Sequence, residues 1–294
     1  MTKHPLSLFE EHRQLLFSIA YRMLGTVMDA QDMVQNTYLR WQESSPDELR
    51  SPRAWLTTVV TRLCINHLQL ARVQRETYVG PWLPEPIVEE GGGNPVENAQ
   101  LADSLSLAFL VLLETLTPTE RAVFILREGF DCEFSEIAGI VEKSETNCRQ
   151  ILTRARKRID ERRPRFDVSP EAAEKLVTPF IQAVQKGDFD TLLVMMAKDV
   201  VLVTDGGGKA RAIAKPLKGA EPVAKLLVNV TRQYGNKIED RRLATINGLP
   251  GFVSFDGKNP QRVMAFGIQN GLISALFVIT NPDKLRHLIR HAND

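Results

Sequence analysis

The sequence predicts a multidomain chain in which two all-α domains, the second carrying a helix-turn-helix, precede an α+β domain. Residues 6–76 show helical spacing of apolar residues and no β-like alternation, and helices resume from about 99 to 162. A segment rich in proline and glycine interrupts this helical part at residues 80–98. After residue 166, two helical stretches give way to short β-rich runs punctuated by Asn and Gly, which is typical of an antiparallel sheet.

Length and composition place the chain among globular proteins. Its 294 residues suffice for two or three domains with hydrophobic cores, and 43% of them are apolar and 25% charged. No stretch approaches the roughly 20 apolar residues of a membrane span, and the first residues lack the apolar core of a signal peptide. Cys64, Cys132 and Cys148 lie far apart, which favours buried thiols in a reducing compartment over disulfides or zinc. We therefore expect a cytoplasmic protein that does not bind a membrane.

The first domain, residues 1–78, is predicted to contain three helices. The first ends at Gly25, a natural C-terminal stop. The second begins near Asp29, whose carboxylate suits the positive end of a helix, and reads "DAQDMVQNTYLRWQE". Ser51 can cap the third helix and Pro52 suits its first position, after which the helix continues through "RAWLTTVVTRLCINH".

The second helical domain, residues 99–164, ends in the most informative stretch of the chain, "FSEIAGIVEKSETNCRQILTRARKRI". A short helix and a turn precede a second helix that Ser144 can cap. One face of this second helix is an apolar stripe, formed by Cys148, Ile151, Leu152, Ala155 and Ile159. The opposite face is polar and carries Thr146, Asn147, Arg149, Gln150, Thr153, Arg154 and Lys157. Asn, Gln and Arg suit contacts with base edges, so the pattern indicates a DNA-binding helix-turn-helix rather than an ordinary helical hairpin.

Charge is distributed unevenly along the chain. The formal net charge is only +1, yet residues 149–165 carry eight Lys/Arg against two Asp/Glu, whereas residues 76–148 carry three against fourteen. The positive charge is concentrated where the predicted recognition helix lies. It therefore indicates a surface for nucleic acid.

Two blocks of the sequence resemble conserved regions of bacterial sigma factors. "YRMLGTVMDAQDMVQNTYLRWQ", with the helix after it, is similar to the second conserved region, and the block from "LTPTERAVFILREGF" to the helix-turn-helix is similar to the fourth. Keeping only these two regions is typical of extracytoplasmic-function sigma factors. The resemblance implies promoter DNA and core RNA polymerase, through its β′ clamp and β flap, as partners. A ligand-sensing helix-turn-helix regulator is the alternative.

The same resemblance implies roles for individual side chains in the first domain. The second helix is expected to dock on the β′ clamp through Asp29, Asp32, Gln35 and Asn36, with Met33 and Val34 alternating between core and interface. The third helix is expected to face the minus-ten element, where a separated strand needs cations and a surface for an extruded base. The candidates there are Arg53, Trp55, Thr58, Thr61, Arg62 and Asn66. For Trp55 a core position is equally compatible with the spacing.

Residues 165–294 resemble a SnoaL-like domain of the nuclear-transport-factor-like (NTF2-like) cone fold. The sigma subfamily with this fusion carries three short motifs, and the chain has "WLPEP" in the linker at 79–98, "DGGGK" at 205–209 and "NPDKL" at 281–285. The resemblance implies that the fused domain controls the sigma module, so that no separate anti-sigma factor is required. The interdomain regulatory residues are then Trp82, Glu85, Asp205, Gly206, Gly207, Gly208, Lys209, Asn281, Pro282 and Asp283.

Catalysis by the third domain is not expected. Asp199, Asp205 and Asp256 are conceivable bases, but no acid partner for a proton transfer stands out. The sequence implies no catalytic residue, no metal and no cofactor. A small ligand in the natural cavity of a cone fold is favoured over an enzyme.

The "DGGGK" stretch raises the question of what three successive glycines do after a strand. A P-loop is excluded because G-x-x-x-x-G-K-[ST] is absent. Three glycines favour the close approach of another surface, since extra glycines otherwise only add backbone entropy to be lost. We expect "WLPEP" to be that surface, with Glu85 facing Lys209, and a flexible loop in solvent is the alternative. In "NPDKL", Asn281 is expected to cap a last helix, and a contact with the sigma module is the other interpretation.

Overall fold

A computed structural model describes residues 5–44, 49, 51–75, 78–89, 106–161, 166, 170–234 and 240–289. The chain divides into two compact units. The first comprises residues 1–77 and 110–163, and the second residues 78–109 and 164–294. The linker segment 78–89 therefore packs as part of the C-terminal unit. The beginning of the helix predicted at 99–115 and the linker from residue 90 onward lie outside the described residues.

The N-terminal part of the first unit is built from three helices, α1 (Pro5–Leu24), α2 (Val27–Glu43) and α3 (Pro52–Arg75). Their shared core contains the fully buried side chains of Leu16, Tyr21, Trp41 and Leu56. The predicted start of α3 is confirmed, because the Ser51 hydroxyl accepts a hydrogen bond from the Ala54 amide at 3.3 Å. The helix content expected from the apolar spacing is thus present.

Four further helices follow: α4 (Leu107–Leu113), α5 (Pro118–Phe130), α6 (Phe134–Val141) and α7 (Glu145–Asp160). A capping box between Thr117 and Glu120 begins α5. Ser144 caps α7 by accepting from the Asn147 amide at 3.2 Å. The whole predicted apolar stripe of α7 is buried, so the helix-turn-helix formed by α6 and α7 is confirmed as a fold element.

The C-terminal unit is α+β. Its helices are α8 (Pro170–Lys186), α9 (Phe189–Met195) and α10 (Ala220–Tyr234). The strands are β1 (Val88–Glu89), β2 (Met196–Asp205), β3 (Leu217–Lys218), β4 (Asp240–Ile246), β5 (Leu249–Asp256), β6 (Asn259–Gln269) and β7 (Leu272–Ile279). They form one sheet in the order β1-β4-β5-β6-β7-β2-β3. One apolar cluster, including Phe180, Val223, Phe252 and Phe266, fills the space between the helices and one face of the sheet.

The hairpin turns of this sheet follow the predicted chemistry. Asn247 and Gly248 have φ angles of 48° and 74°, and Asn270 and Gly271 have 52° and 72°. Positive φ at both central residues is the signature of the type I′ turn, which matches the twist of a two-residue hairpin. These Asn-Gly pairs therefore fix the registers of β4 with β5 and of β6 with β7.

Three features of the C-terminal unit differ from the sequence-based expectation. Helix α10 was not predicted, although the spacing of its apolar residues is amphipathic. Strand β2 pairs with β7 in parallel, not antiparallel, fashion. The predicted last helix is replaced by two short 3-10 turns, Pro282–Lys284 and Arg286–Leu288, whose amides bond to the carbonyl three residues back. Among the described helices, none is both long and apolar enough to cross a membrane.

Candidate functional site

The polar face of α7 is open to solvent. Of the α7 side chains predicted to bind DNA, Asn147 is half-buried and the others are exposed: Thr146, Arg149, Gln150, Thr153, Arg154 and Lys157. The cap at Ser144 and the buried stripe hold the helix so that this face points outward. The geometry fits a recognition helix that places its N-terminal half in a major groove.

The arginines of α7 fall into two groups. Arg156 and Arg158 are used internally, since their guanidinium groups bond to Glu128 and Glu120 of α5 at 2.5 and 3.0 Å. Arg149 bonds to Glu145 one turn earlier at 3.0 Å and stacks 4.7 Å from the Phe134 ring centroid. This contact keeps Arg149 on the outer face in a defined orientation. Arg156 and Arg158 thus brace the helix-turn-helix through α5, whereas Arg149 is bonded within its own helix.

The candidate minus-ten face of α3 is only partly accessible. Arg53 and Asn66 are exposed, and Thr58 is half-buried with its hydroxyl donating to the Ala54 carbonyl at 2.8 Å. Trp55 is half-buried with its ring 5.6 Å from that of the buried Trp41. This packing favours the core interpretation of Trp55 over that of a free stacking surface.

Two candidates on α3 need correction. Thr61 is fully buried, because it shares the inward face of the helix with Thr57 and Cys64, and its side chain is not presented to DNA. Arg62 is partly exposed but already bonded within the unit: its Nε and Nη2 donate to the carbonyls of Ile140 and Gly139 at 3.1 and 2.8 Å. Helical spacing alone predicted that the side chains of Thr61 and Arg62 lie on the polar side of α3. The spacing of residues within α3 carries no information on how α6 packs against it.

The outward face of α2 fits the predicted polymerase contact with two changes, at Asp29 and at the pair Met33 and Val34. Asp32, Gln35 and Asn36 are exposed, whereas Asp29 is half-buried, accepts the Thr26 hydroxyl at 2.5 Å and lies 3.7 Å from His67. Met33 and Val34 are both buried, so neither reaches an interface. The exposed apolar side chains of this helix are Met28 and Leu39, each about half exposed. They share the outward face with the polar candidates, at helical spacing.

The three short motifs of the C-terminal unit meet at the side chain of Asp205, which is wholly buried. Its Oδ2 accepts from the Leu83 amide at 2.8 Å and from the Lys284 ammonium at 2.7 Å. Its Oδ1 accepts from the Tyr78 hydroxyl at 2.5 Å and from the Gly207 amide at 3.0 Å. We call Tyr78, Leu83, Asp205, Asn281 and Lys284 the linker site.

Lys284 also binds the main chain of the linker. Its side chain is only 7% exposed, and its ammonium also donates to the Leu83 carbonyl. The same nitrogen lies 4.3 Å from the Trp82 ring centroid and 5.0 Å from that of Tyr78. A buried lysine is costly unless paired and hydrogen-bonded, and here a carboxylate, a carbonyl and two rings surround it. Because both backbone groups of Leu83 are held, the grip acts on the linker main chain.

The Tyr78 hydroxyl links the two C-terminal motifs to the linker. It donates to Asp205 and accepts from the Asn281 side-chain amide at 3.0 Å. Burial, followed by the bond to the Asp205 carboxylate, raises the pKa of Tyr78 well above its usual range. The phenol therefore stays a neutral donor across physiological pH.

The glycines of "DGGGK" lie where other surfaces come close, as expected. A Cβ on Gly207 would sit 2.2 Å from the Asn281 side-chain nitrogen, and a Cβ on Gly208 would meet Val79 of the linker at 3.2 Å. Both have positive φ, 57° and 72°, a region that favours glycine. The close approach thus comes from "NPDKL" and from Val79, which lies three residues before the predicted partner "WLPEP".

The predicted pairing of Glu85 with Lys209 is wrong. The Lys209 ammonium forms an ion pair with Asp283, whose other oxygen binds Arg286 at 2.6 Å. The hydrogen bond from Lys209 lowers the pKa of the Asp283 carboxyl. Glu85 is instead buried. The prediction was that the lysine of "DGGGK" pairs with a glutamate of "WLPEP". The carboxylate that pairs with it belongs instead to "NPDKL".

Several residues that hold the linker were not singled out by sequence reasoning. Asn247 accepts from the Ile87 amide with its side chain and donates to the Ile87 carbonyl with its backbone, both at 2.9 Å. A ring nitrogen of His287 lies 2.8 Å from the Pro86 carbonyl. Lys284 lies inside "NPDKL", so the motif pointed to it, whereas Tyr78 and Asn247 carried no such signal. Asn281 does cap its segment, accepting from the Asp283 amide at 3.1 Å.

The conceivable catalytic bases of the C-terminal unit differ in their surroundings. Asp205 is committed to the linker site by the hydrogen bonds given above. Asp199 and Asp256 are exposed. Among the described residues, no group of three His, Cys, Asp or Glu side chains could hold a metal ion.

Two family models match the first unit. Sigma-70 region 2 matches residues 8–73, and Sigma-70, region 4 matches residues 106–159. These ranges contain α2 and α3 in the first case, and the helix-turn-helix in the second.

Two relatives match this chain over nearly all of its length. The chain is 37% identical over 291 residues to the ECF RNA polymerase sigma factor SigJ of Mycobacterium tuberculosis, covering 95% of this chain and 92% of the relative. It is 30% identical over 294 residues to the probable ECF RNA polymerase sigma factor SigI of the same organism, covering 97% of each. The crystal structure of SigJ superposes with a TM-score of 0.77 at 36% identity, covering 95% of this chain and 97% of that one.

Proposed function

This chain belongs to the extracytoplasmic-function (ECF) RNA polymerase sigma factors, and we propose that its C-terminal unit controls promoter-directed initiation by holding the linker between its two DNA-binding regions. The C-terminal unit is α+β, the architecture that the resemblance to a SnoaL-like domain implies. The observation that carries the proposal is the buried Asp205–Lys284 pair, which binds both the amide and the carbonyl of Leu83. Because this contact fixes the backbone of Leu83, it restricts the path that the linker can take.

Holding the linker changes the reach between the two regions. Twelve residues, 78–89, would span at most about 40 Å if they were free and extended. Their attachment at Leu83 by the linker site, at Ile87 by Asn247 and at Val88 by pairing with β4 removes that length from the tether. These contacts with the linker therefore set the maximum distance between regions two and four on a promoter.

We assign the promoter contacts as follows. The polar face of α7, exposed as described above, reads the minus-thirty-five element, with Asn147 and Arg149 as base-reading side chains. On α3, Arg53, Thr58 and Asn66 face the minus-ten element, and Arg62 joins them once it is released from α6. Cations along the backbone of a separated strand supply affinity, and exposed polar groups supply selectivity.

The outward face of α2 is our candidate for the β′ clamp of core RNA polymerase, and region four for the β flap. Exposed Met28 and Leu39 flank Asp32, Gln35 and Asn36, which gives an apolar contact bordered by polar groups. A factor that works with RNA polymerase acts in the cytoplasm. The fused unit takes the place of a separate anti-sigma factor, and a small ligand of that unit would be an input to the same control.

Transcription with core polymerase tests the proposal. In run-off assays from a cognate promoter, Lys284→Met should change the transcript yield severalfold, because the main-chain grip on Leu83 is lost. Lys258→Met, a lysine in the exposed hairpin between β5 and β6, is the matched control and should leave the yield unchanged. Equal yields from the wild type and both variants, with Lys284→Met properly folded, would refute control through the linker site. Absence of transcription by the wild type would refute the sigma-factor assignment itself.

A further inference from the structure

An aromatic ring on the first helix of the helix-turn-helix supports the base-reading part of the second. Phe134 begins α6, and its side chain is half-buried. The guanidinium carbon of Arg149, on α7, lies over this ring at 4.7 Å from its centroid. The guanidinium carbon of Arg127, in the last turn of α5, lies over the same ring at 5.2 Å. Helices α5, α6 and α7 thus meet at Phe134, beside the N-terminal half of the recognition helix.

The backbone that carries the ring is fixed on both sides of Phe134. The Arg127 guanidinium donates to the Cys132 carbonyl at 2.9 Å and pairs with the Glu133 carboxylate at 3.4 Å. The Glu136 carboxylate in turn accepts from the Glu133 amide at 3.0 Å, which holds the first turn of α6. The ring therefore has a defined position relative to α5, independently of its contact with α7.

Contact with the ring orients Arg149 without using its hydrogen-bond donors. A guanidinium carries its N–H donors in its own plane, whereas a cation–π contact engages the charge of the group and the face of the ring. Nη2 of Arg149 is bonded to Glu145 at 3.0 Å, so a ring and a carboxylate together restrict a side chain that is 56% exposed. The other donors of the guanidinium can then bind a base edge, in the bidentate geometry that guanine O6 and N7 accept.

Orientation before binding matters most for a side chain that reads a base. A long, flexible side chain loses rotamer entropy when it binds, and the loss is smaller when the free protein already holds it in the bound orientation. The gain applies only to the base that this orientation matches, so it raises discrimination between bases. A contact with a phosphate would instead raise the affinity for all sequences alike.

We propose that Phe134 is a specificity-determining residue of the minus-thirty-five contact, which acts by positioning Arg149 for its base. The proposal rests on the proposed function, since it takes Arg149 as a base-reading side chain. Phe134 acts from α6, outside the recognition helix, through the 4.7 Å contact of its ring with the guanidinium. Base preference at the minus-thirty-five element is therefore set by a residue of the first helix as well as by the reading face of α7.

The test is run-off transcription by the full chain with core polymerase, from promoters that carry each base in turn along the minus-thirty-five element. The position read by Arg149 is the one where Arg149→Ala lowers discrimination between bases. Phe134→Leu keeps an apolar side chain but removes the ring, and should lower discrimination at that position about two- to fivefold, the size expected for an exposed cation–π contact. Phe134→Tyr keeps the ring and should retain the wild-type discrimination. In the Arg149→Ala background, Phe134→Leu should cause no further loss.

Phe17→Leu is the matched control, because it makes the same substitution at another half-buried ring, in α1 of region two. Its minus-thirty-five discrimination should equal that of the wild type. Discrimination is a ratio of yields from two promoters, so a smaller folded fraction lowers both yields and leaves the ratio unchanged.

Two results would overturn the role of Phe134. One is undiminished discrimination in Phe134→Leu at the position read by Arg149. The other is an equal loss on Phe134→Leu in the Arg149→Ala background, because the ring would then act independently of the arginine. Wild-type discrimination by Arg149→Ala at every position would instead overturn the proposed reading face of α7, so the two failures are distinguishable.

Discussion

Gly207 and Gly257 have nearly the same backbone conformation but different surroundings, which separates the cost of a positive φ from the cost of a clash. Their φ angles are 57° and 58°. A Cβ on Gly257 meets nothing within 4 Å, whereas one on Gly207 meets the Asn281 side chain at 2.2 Å. The structure of the "DGGGK" turn thus depends on a contact between motifs as well as on backbone freedom.

We predict that Gly257→Ala costs about 1–2 kcal/mol of unfolding free energy, the penalty of a left-handed residue. Gly207→Ala should cost clearly more, because Asn281 must also move and release Tyr78. Denaturant unfolding of the two variants measures the difference. Equal losses would mean that Asn281 adjusts freely and that the close approach has no energetic weight.

Tyr78 gives the C-terminal unit a dependence on alkaline pH. The pKa of its phenol is raised in the folded state, first by burial and then by its bond to Asp205. A raised pKa in an acid means that the folded state holds the proton more tightly than the unfolded one. The stabilisation is then complete below the unfolded pKa of about 10 and is lost as pH rises above it. Unfolding free energy measured from pH 8 upward should fall more steeply for the wild type than for Tyr78→Phe, and parallel curves would contradict this.

At the scale of elements, α7 combines arginines that pair with α5 and cations on the predicted reading face. Arg156 and Arg158 bond to α5, whereas Arg154 and Lys157 are exposed on the predicted reading face. The division follows from helical periodicity, because Arg156 and Arg158 adjoin the buried stripe and therefore lie near α5. The recognition helix is therefore stabilised by one set of charges and able to bind DNA with the other.

We predict that Asn147→Ala and Arg149→Ala each weaken minus-thirty-five recognition by about 1–3 kcal/mol per lost base contact. Arg156→Ala, a matched loss of one cation from the same helix, should lower binding without changing base preference. Transcription from promoters with single substitutions in the minus-thirty-five element measures both effects. An unchanged base preference in Asn147→Ala and Arg149→Ala would refute the assignment of this face.

For the whole molecule, the buried Asp205–Lys284 pair connects the linker to the C-terminal unit. Removing one partner leaves the other charge buried and unpaired, which costs about 3–5 kcal/mol in such sites. We predict losses of that size in unfolding free energy for Asp205→Asn and for Lys284→Met, and a loss for the double variant well below their sum. The two single variants should also expose residues 78–89 to proteolysis. Additive losses, or a linker that stays protected, would contradict a shared site.

The sequence by itself predicted the domain order, the helix-turn-helix, the Asn-Gly hairpins and the convergence of the glycine run on another surface. These features depend on short-range patterns: apolar residues at helical spacing, a Ser144 cap, and turn residues that tolerate positive φ. Such patterns act between residues a few positions apart, so they are legible along the chain. The motif resemblance added the family, which the similarity to full-length relatives then established.

Only the tertiary structure decided which groups meet across long separations in the chain. Asp205 meets Leu83 and Tyr78 across more than 120 residues, and Arg62 meets Gly139 across 77. Tertiary packing also buries Thr61 and pairs β2 in parallel with β7. It brings Lys209 into an ion pair with Asp283 and not with Glu85. Charge and polarity mark a side chain as able to bond, but many partners satisfy that condition. The choice among them is made by which elements pack together, and hence by the burial of apolar surface over the whole unit.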